Sequence, residues 1–111
     1  MSAIVSRFQE TTCTIAISTT TSDAVAIAEF NKGSFHAPAA LTGANFTVHV
    51  SNDGTNYNAL QNAAGTAIAV IPATTNEANM LPAETFNFKF MKLVSASSEA
   101  AARTITIFLK G

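Results

Sequence analysis

The chain has one cysteine, Cys13, no tryptophan and few charged side chains. A single cysteine excludes a disulfide within the chain and a metal site built from several thiolates. Charged residues make up 12% of the sequence, whereas about 25% is usual for a soluble domain. The six basic residues are scattered and the net charge is −1. We therefore expect no nucleic-acid partner, because phosphate contacts need a clustered basic surface.

Long apolar runs are also missing. No stretch approaches the roughly 20 apolar residues of a membrane-spanning helix. The first residues, MSAIVSRFQE, lack the basic segment and continuous apolar core of a signal peptide. We therefore expect a protein that is made in the cytoplasm, has no membrane partner and folds as one domain over residues 1–111. Because Thr, Ser, Asn and Ala take the place of Lys and Glu, copies of the chain would repel each other little, which favours association.

Residues 46–60, FTVHVSNDGTNYNAL, have the clearest local pattern. Apolar and polar residues alternate as far as Val50, and the turn sequence Ser-Asn-Asp-Gly-Thr-Asn follows. Gly54 can adopt a positive φ angle without the Cβ clash that costs other residues about 1–2 kcal/mol. We therefore predict a β-hairpin whose return strand begins at Tyr57.

Alternation with a period of two recurs along the rest of the chain, carried by β-branched residues and phenylalanine. The further predicted strands, of which the first is weak, are Ala3 to Gln9, Thr11 to Ser18, Ala24 to Phe30, Ser34 to Ala37, Ala67 to Ile71, Phe88 to Val94 and Arg103 to Lys110. Loops are predicted for Ala39 to Asn45, Thr74 to Asn79 and Ser95 to Ala102, the last with a helical turn as an alternative over Glu99 to Ala102. A loop or a short helical turn is predicted for Leu81 to Phe86. About eight short strands and no long helix predict an all-β fold, an antiparallel β-sandwich of the jelly-roll type.

Three segments occur in an order seen in known proteins: VSNDGTNY at 50–57, KFMKLVS at 89–95 and ARTITIFL at 102–109. The order is similar to that of discoidin-like jelly rolls. More narrowly, the segments resemble small proteins encoded among the structural genes of tailed bacteriophages, over about residues 34–111. The resemblance implies a virion protein: a capsid decoration or cement protein, a head fibre or a tail component. It also implies the major capsid protein or another virion protein as partner, and a homo-oligomer, with a trimer suggested by the resemblance alone.

Sugar binding is a weaker implication of the same resemblance. The aromatic residue of the hairpin is Tyr57 rather than tryptophan, and tryptophan is absent from the whole chain, although sugar-binding sites commonly use exposed aromatic faces. The disulfide usual in secreted relatives cannot form. A glycan-binding module that uses the loops around Tyr57 and Asn76 to Met80 therefore stays an alternative.

Two predicted strands carry bulky side chains on both faces. In Phe88 to Val94, Met91 and Leu93 share one face while Phe90 and Lys92 share the other. In the last strand, Phe108 points away from the face that carries Ile105, Ile107 and Leu109. Aromatic residues away from charge are typical anchors of protein interfaces. The interface candidates are Phe90, Lys92, Phe108, Tyr57 and His49.

No catalytic or metal-binding signature occurs in the sequence. Asn52, Asp53 and Asn56 gather oxygens in one turn, but they include a single carboxylate, and turn formation explains all three. His36 and His49 have no cysteine or carboxylate partner nearby, as a zinc site would need. There is no G-x-S-x-G elbow and no glycine-rich phosphate loop. We expect no enzyme activity, no metal and no cofactor.

Overall fold

The computed structural model describes residues 7–43, 45–61, 63–66, 71–72 and 75–111. Its strands are β1 (Phe8–Ile15), β2 (Val25–Ala26), β3 (Lys32–His36), β4 (Asn45–Ser51), β5 (Asn58–Ala59), β6 (Ile71–Pro72), β7 (Ala78–Met80), β8 (Phe90–Ser95) and β9 (Arg103–Lys110). A short 3₁₀ helix, Ala83–Asn87, separates β7 from β8. Within the described residues, no helix is long and apolar enough to cross a membrane.

Two antiparallel sheets form a sandwich. The first sheet has the strand order β1-β9-β3-β7, and the second has the order β2-β8-β4-β5, with β6 also paired to β4. The first sheet takes β1, β3, β7 and β9 from the chain and the second takes the strands between them, which is the alternation of a jelly roll. The predicted antiparallel sandwich is therefore confirmed.

Period-two alternation places the core between the sheets. On β9, Ile105, Ile107 and Leu109 are fully buried, and on β8 Met91 and Leu93 are fully buried. The predicted facing of both strands is therefore confirmed. Cys13 is buried in the same core, and this burial raises the pKa of its thiol to about 11, so that the thiol stays protonated at neutral pH.

The first predicted strands are corrected at both ends. Strand β1 is continuous from Phe8 to Ile15, so the predicted break near Glu10 is wrong, and residues 3–6 of the weak first strand lie outside the described residues. After Ile15 the chain turns, because the Thr19 N–H donates to the Ala16 carbonyl at 3.2 Å. A strand from Thr11 to Ser18 would place Ile17 on the same face as the buried Cys13 and Ile15, but Ile17 is 60% exposed.

The predicted strand Ala24 to Phe30 is reduced to the two residues of β2. A turn follows, in which the Phe30 N–H donates to the Ile27 carbonyl at 3.1 Å, and it directs both Ile27 and Phe30 into the core. A regular strand would place Ile27 and Phe30 on opposite faces.

Three further local predictions can be compared with the structure. The segment Thr74 to Asn79 was predicted as a loop, but Ala78–Met80 pairs with β3 as the edge strand β7. Residues Glu99 to Ala102 lie in a loop, as predicted, and do not form the alternative helical turn. Of Ala67 to Ile71, residues 67–70 lie outside the described residues, and Ile71 pairs with Phe46 on β4.

Candidate interaction surfaces

Four of the five interface candidates lie on the outer face of the second sheet. Phe90 and Lys92 are on β8, His49 lies directly opposite Lys92 on β4, and Tyr57 immediately precedes β5. All four side chains are half-buried. They are neighbours on one surface, as expected of residues that share a face of adjacent strands.

Lys92 and Tyr57 are in direct contact. The Lys92 Nζ atom lies 4.3 Å from the centroid of the Tyr57 ring, within the range of a cation–π interaction. The Tyr57 hydroxyl oxygen is buried and has no hydrogen-bond partner among the residues that the structure describes. One face of the ring is therefore occupied by the ammonium group and is not free to stack on a sugar.

The two histidines are on opposite surfaces of the sandwich. His49 is on the outer face of the second sheet, where burial lowers the pKa of its imidazole. His36 is exposed on β3, in the first sheet. The fold thus separates the only two histidines of the chain, and no group of three metal-binding side chains occurs in the described part of the chain.

Phe108, the fifth candidate, lies on the outer face of the first sheet. Its ring stacks on that of Phe8, with 6.3 Å between centroids and 30° between the ring planes. Phe8 is 67% exposed and Met80 is 72% exposed. Ser34 is paired with both Phe108 and Met80, so a small side chain separates the two large ones. We refer to Phe8, Met80 and Phe108 together as the Phe108 patch.

The interface candidates therefore do not form a single surface. Sequence reasoning missed Phe8 and Met80, which accompany Phe108. Phe8 could have been predicted from the alternation along β1. In one continuous strand it lies on the face opposite to the buried Cys13 and Ile15, which is the outer face. Met80 could not be found this way, because its strand has only three residues.

The hairpin loop is held together by the Asp53 carboxylate. Its Oδ1 atom accepts hydrogen bonds from the Ser51 hydroxyl and from the Thr55 and Asn56 N–H groups, each at 2.8 Å. Its Oδ2 atom accepts a 2.9 Å hydrogen bond from the Asn56 amide. Hydrogen bonds, first from the Asn56 N–H and then from Thr55, hold the pKa of this carboxyl well below its usual range. The carboxylate is thus used to shape the turn.

A second carboxylate, that of Glu99, is buried and was not predicted from the sequence. Glu99 is 1% exposed and accepts hydrogen bonds from the Thr42 N–H at 2.8 Å, the Gly43 N–H at 2.9 Å and the Ser95 hydroxyl at 2.7 Å. The Arg103 Nε atom completes the set with a 3.0 Å ion pair. Burial by itself raises the pKa of Glu99, but these hydrogen bonds outweigh it and lower the pKa to about 2.

The role of Glu99 is structural. Its carboxylate ties the loop after β8 to the loop before β4, and it leaves no oxygen open to solvent. The sequence signal was faint: one glutamate in a run of alanine and serine, four residues before an arginine.

Comparison with known proteins supplies one further finding. No family model matches the chain, and no curated protein matches it in sequence. A solved structure, that of the SPBc2 prophage-derived protein YomS, superposes with a TM-score of 0.66 over 100% of this chain and 99% of that one. The two proteins share a fold. Their sequences are 14% identical, so the likeness concerns the fold alone.

Proposed function

We propose that this chain is a non-enzymatic structural protein of a tailed-phage particle and that it binds the head as a capsid decoration protein. The observation that carries the proposal is the Phe108 patch. Phe8 and Met80 are exposed and Phe108 is half-buried, on a sheet face whose other outward residues include Thr104 and Thr106. Exposed apolar clusters on a weakly charged surface are typical of protein interaction sites.

Two likenesses support the assignment to phage. The hairpin, the β8 segment and the β9 segment resemble those of phage structural proteins. A solved protein with the same fold is described as prophage-derived. Attachment through many symmetric copies would make weak individual contacts sufficient, because multivalency multiplies affinity.

A binding experiment tests the proposal. Capsids that lack the protein are mixed with the purified chain and sedimented. We expect the chain to co-sediment, and the double variant Phe8→Ser/Phe108→Ser to lose most of this binding while keeping its melting temperature, because both rings are at the surface. Phe90→Ser is the matched control, since Phe90 is an outward aromatic residue of the other sheet. Failure of the chain to bind capsids would refute the proposal, and labelling on whole particles would then show whether it belongs to the tail or baseplate.

Glycan binding is a second candidate, favoured by a groove beside the hairpin. Asn52, Asn58 and Gln61 line this groove together with the Phe88 ring. Amide groups beside an apolar ring suit a sugar, which presents hydroxyls on its rim and C–H groups on its face. The groove differs from the site expected from sequence, because Lys92 covers Tyr57 and Asn76 to Met80 lead into the first sheet. A glycan array tests this function. Selective binding that is abolished by Asn58→Ala or Gln61→Ala would favour glycan binding over capsid decoration.

A further inference from the structure

Strand β1 is an edge of the first sheet, and its pairing fixes which of its backbone groups are free. Arg7 and Gly111 exchange two hydrogen bonds, of 3.0 and 2.9 Å. In an antiparallel ladder such bonded pairs alternate, so Gln9, Thr11 and the following odd-numbered residues bond to β9. The N–H and C=O groups of the even-numbered residues of β1 therefore point away from the sheet.

One end of this edge is already closed. The Thr14 N–H donates to the Asp23 carboxylate at 2.5 Å, and the Thr14 carbonyl accepts from the Asp23 N–H at 3.2 Å. The backbone groups of Phe8, Glu10 and Thr12 have no hydrogen-bond partner within the described part of the chain. The backbone groups of these three alternate residues are thus free to pair with an added strand.

The edge also lacks the usual protection against pairing. Natural edge strands carry proline, lysine or a bulge, and β1 has the sequence FQETTCTI with Glu10 as its single charge. A groove runs beside the strand, between Gln9 and Thr11 on one side and Ala24, Ala26 and Ala28 on the other. The alanines leave space for the inward-facing side chains of a neighbouring strand.

We propose that two copies of this chain pair antiparallel through β1, with Phe8 of each copy opposite Glu10 of the other. The four-stranded first sheets then join into one continuous sheet. A two-fold axis through the midpoint of the paired Gln9 residues generates this arrangement. Residues Phe8 and Glu10 of both copies then exchange their free N–H and C=O groups.

Side-chain facing disfavours a slip by one residue, and charge disfavours the slip that is centred on Glu10. A slip by one residue would move the Phe8 and Glu10 side chains of the second copy from the outer face of the joined sheet to its inner face. A slip by two, centred on Glu10, would place two carboxylates directly opposite each other, which is destabilising. In the proposed register Glu10 continues the row formed by Phe8 and Lys110 of the other copy, with about 10 Å between the Cα atoms of Glu10 and Lys110. Both side chains reach across this distance, and neither has an ion-pair partner among the described residues.

This pairing deepens the proposed function without depending on it. The two-fold axis is perpendicular to the joined sheet, so the Phe108 patches of both copies come to lie on the same face. A dimer would therefore present two patches to one target, which raises its avidity. It would also assemble in even numbers, whereas the sequence resemblance suggests a trimer.

Disulfide trapping tests the register directly. The two Gln9 residues form a non-hydrogen-bonded antiparallel pair, whose Cα atoms lie about 4.5 Å apart, within the range that a disulfide spans. We expect Gln9→Cys to give a covalent dimer under mild oxidation. Thr11→Cys is the matched control, because the two Thr11 residues would be four positions apart along the paired strands. The native Cys13 is buried and does not interfere. Efficient dimerisation of Glu10→Cys in place of Gln9→Cys would overturn the proposed register.

Charge reversal tests the same contact in solution. Glu10→Lys and Lys110→Glu should each raise the dimer dissociation constant, measured by analytical ultracentrifugation, by about tenfold, and the double variant should restore it. Glu10→Pro should abolish the dimer while Glu10→Gln weakens it only in part, because proline removes an N–H that β9 does not use. A chain that stays monomeric at millimolar concentration would overturn the inference. If such a monomer still bound capsids, the proposed function would stand.

Discussion

The Glu99 carboxylate accepts a 2.9 Å hydrogen bond from the N–H of Gly43, a residue 56 positions earlier in the chain. Gly43 fits here because a Cβ atom built on it would lie 2.0 Å from the Ser95 hydroxyl, which is also bonded to Glu99. One buried carboxylate thus closes the end of the sandwich where the loops before β4 and after β8 meet. Its consequences for stability can be measured.

Removal of this carboxylate should destabilise the fold strongly. Glu99→Ala leaves the Arg103 side chain, the Gly43 N–H and the Ser95 hydroxyl without their acceptor, and breaking a buried pair in this way typically costs about 3–5 kcal/mol. Urea unfolding at neutral pH measures the change. Glu84→Ala, at an exposed glutamate, is the control and should change the free energy of unfolding by less than about 0.5 kcal/mol. A small effect at Glu99 would mean that solvent replaces its contacts.

The stability of the chain should fall in acid, with Glu99 as a main cause. Its pKa is about 2 in the folded chain against 4.5 when unperturbed, so the unfolded state binds more protons between these values. The stabilisation is complete above pH 5 and is lost as the pH falls from about 4.5 to 2. It amounts to roughly 3 kcal/mol. The lowered pKa of Asp53 acts in the same direction.

Urea unfolding from pH 7 to pH 2 checks this prediction, with Glu99→Gln as the comparison. The variant should be less stable at neutral pH and should show a shallower decline in acid, because the substituted amide does not titrate. Parallel pH profiles for the two proteins would assign the acid sensitivity to other carboxyls.

Gly54 should resist substitution by a β-branched residue. It has a φ angle of +75°, and a Cβ atom there would lie 3.4 Å from the Phe90 ring. Gly54→Val should lower the free energy of unfolding by about 1–2 kcal/mol or more. Gly54→Asn should cost less, since asparagine enters the left-handed region more readily. Equal melting temperatures for the two variants would show that the loop has another conformation.

The Tyr57–Lys92 contact predicts a specific double-mutant result. Tyr57→Phe should leave stability unchanged or slightly increased, because the buried hydroxyl has no partner among the described residues and its removal relieves a desolvation cost. Lys92→Met should cost about 0.5–1 kcal/mol through loss of the cation–π contact. A double-mutant cycle measured by thermal unfolding combines Lys92→Met with Tyr57→Leu. The double variant should lose less stability than the sum of the two single losses, because both substitutions remove the same contact. Additive losses would show that the ammonium group and the ring do not interact.

Prediction from sequence worked where a strand is long and one of its faces is buried. Arg103 to Lys110 was predicted with its exact bounds, and the facing of Met91 and Leu93 was predicted correctly, because a period of two is unambiguous over several residues. It failed for Ala78–Met80 and for the end of β1. Pairing with β3 defines the first of these, and a local turn at Ser18, with a φ angle of +64°, defines the second.

The sequence by itself determined the fold class, the hairpin turn at Gly54 and the outward direction of Phe90 and Phe108. These features depend on neighbouring residues, through alternation and turn chemistry. Only the tertiary structure decided that Phe90 and Phe108 lie on opposite sheets, that Phe8 and Met80 join Phe108, and that Glu99 is buried. Each of these depends on contacts between segments far apart in the chain, which local patterns do not encode.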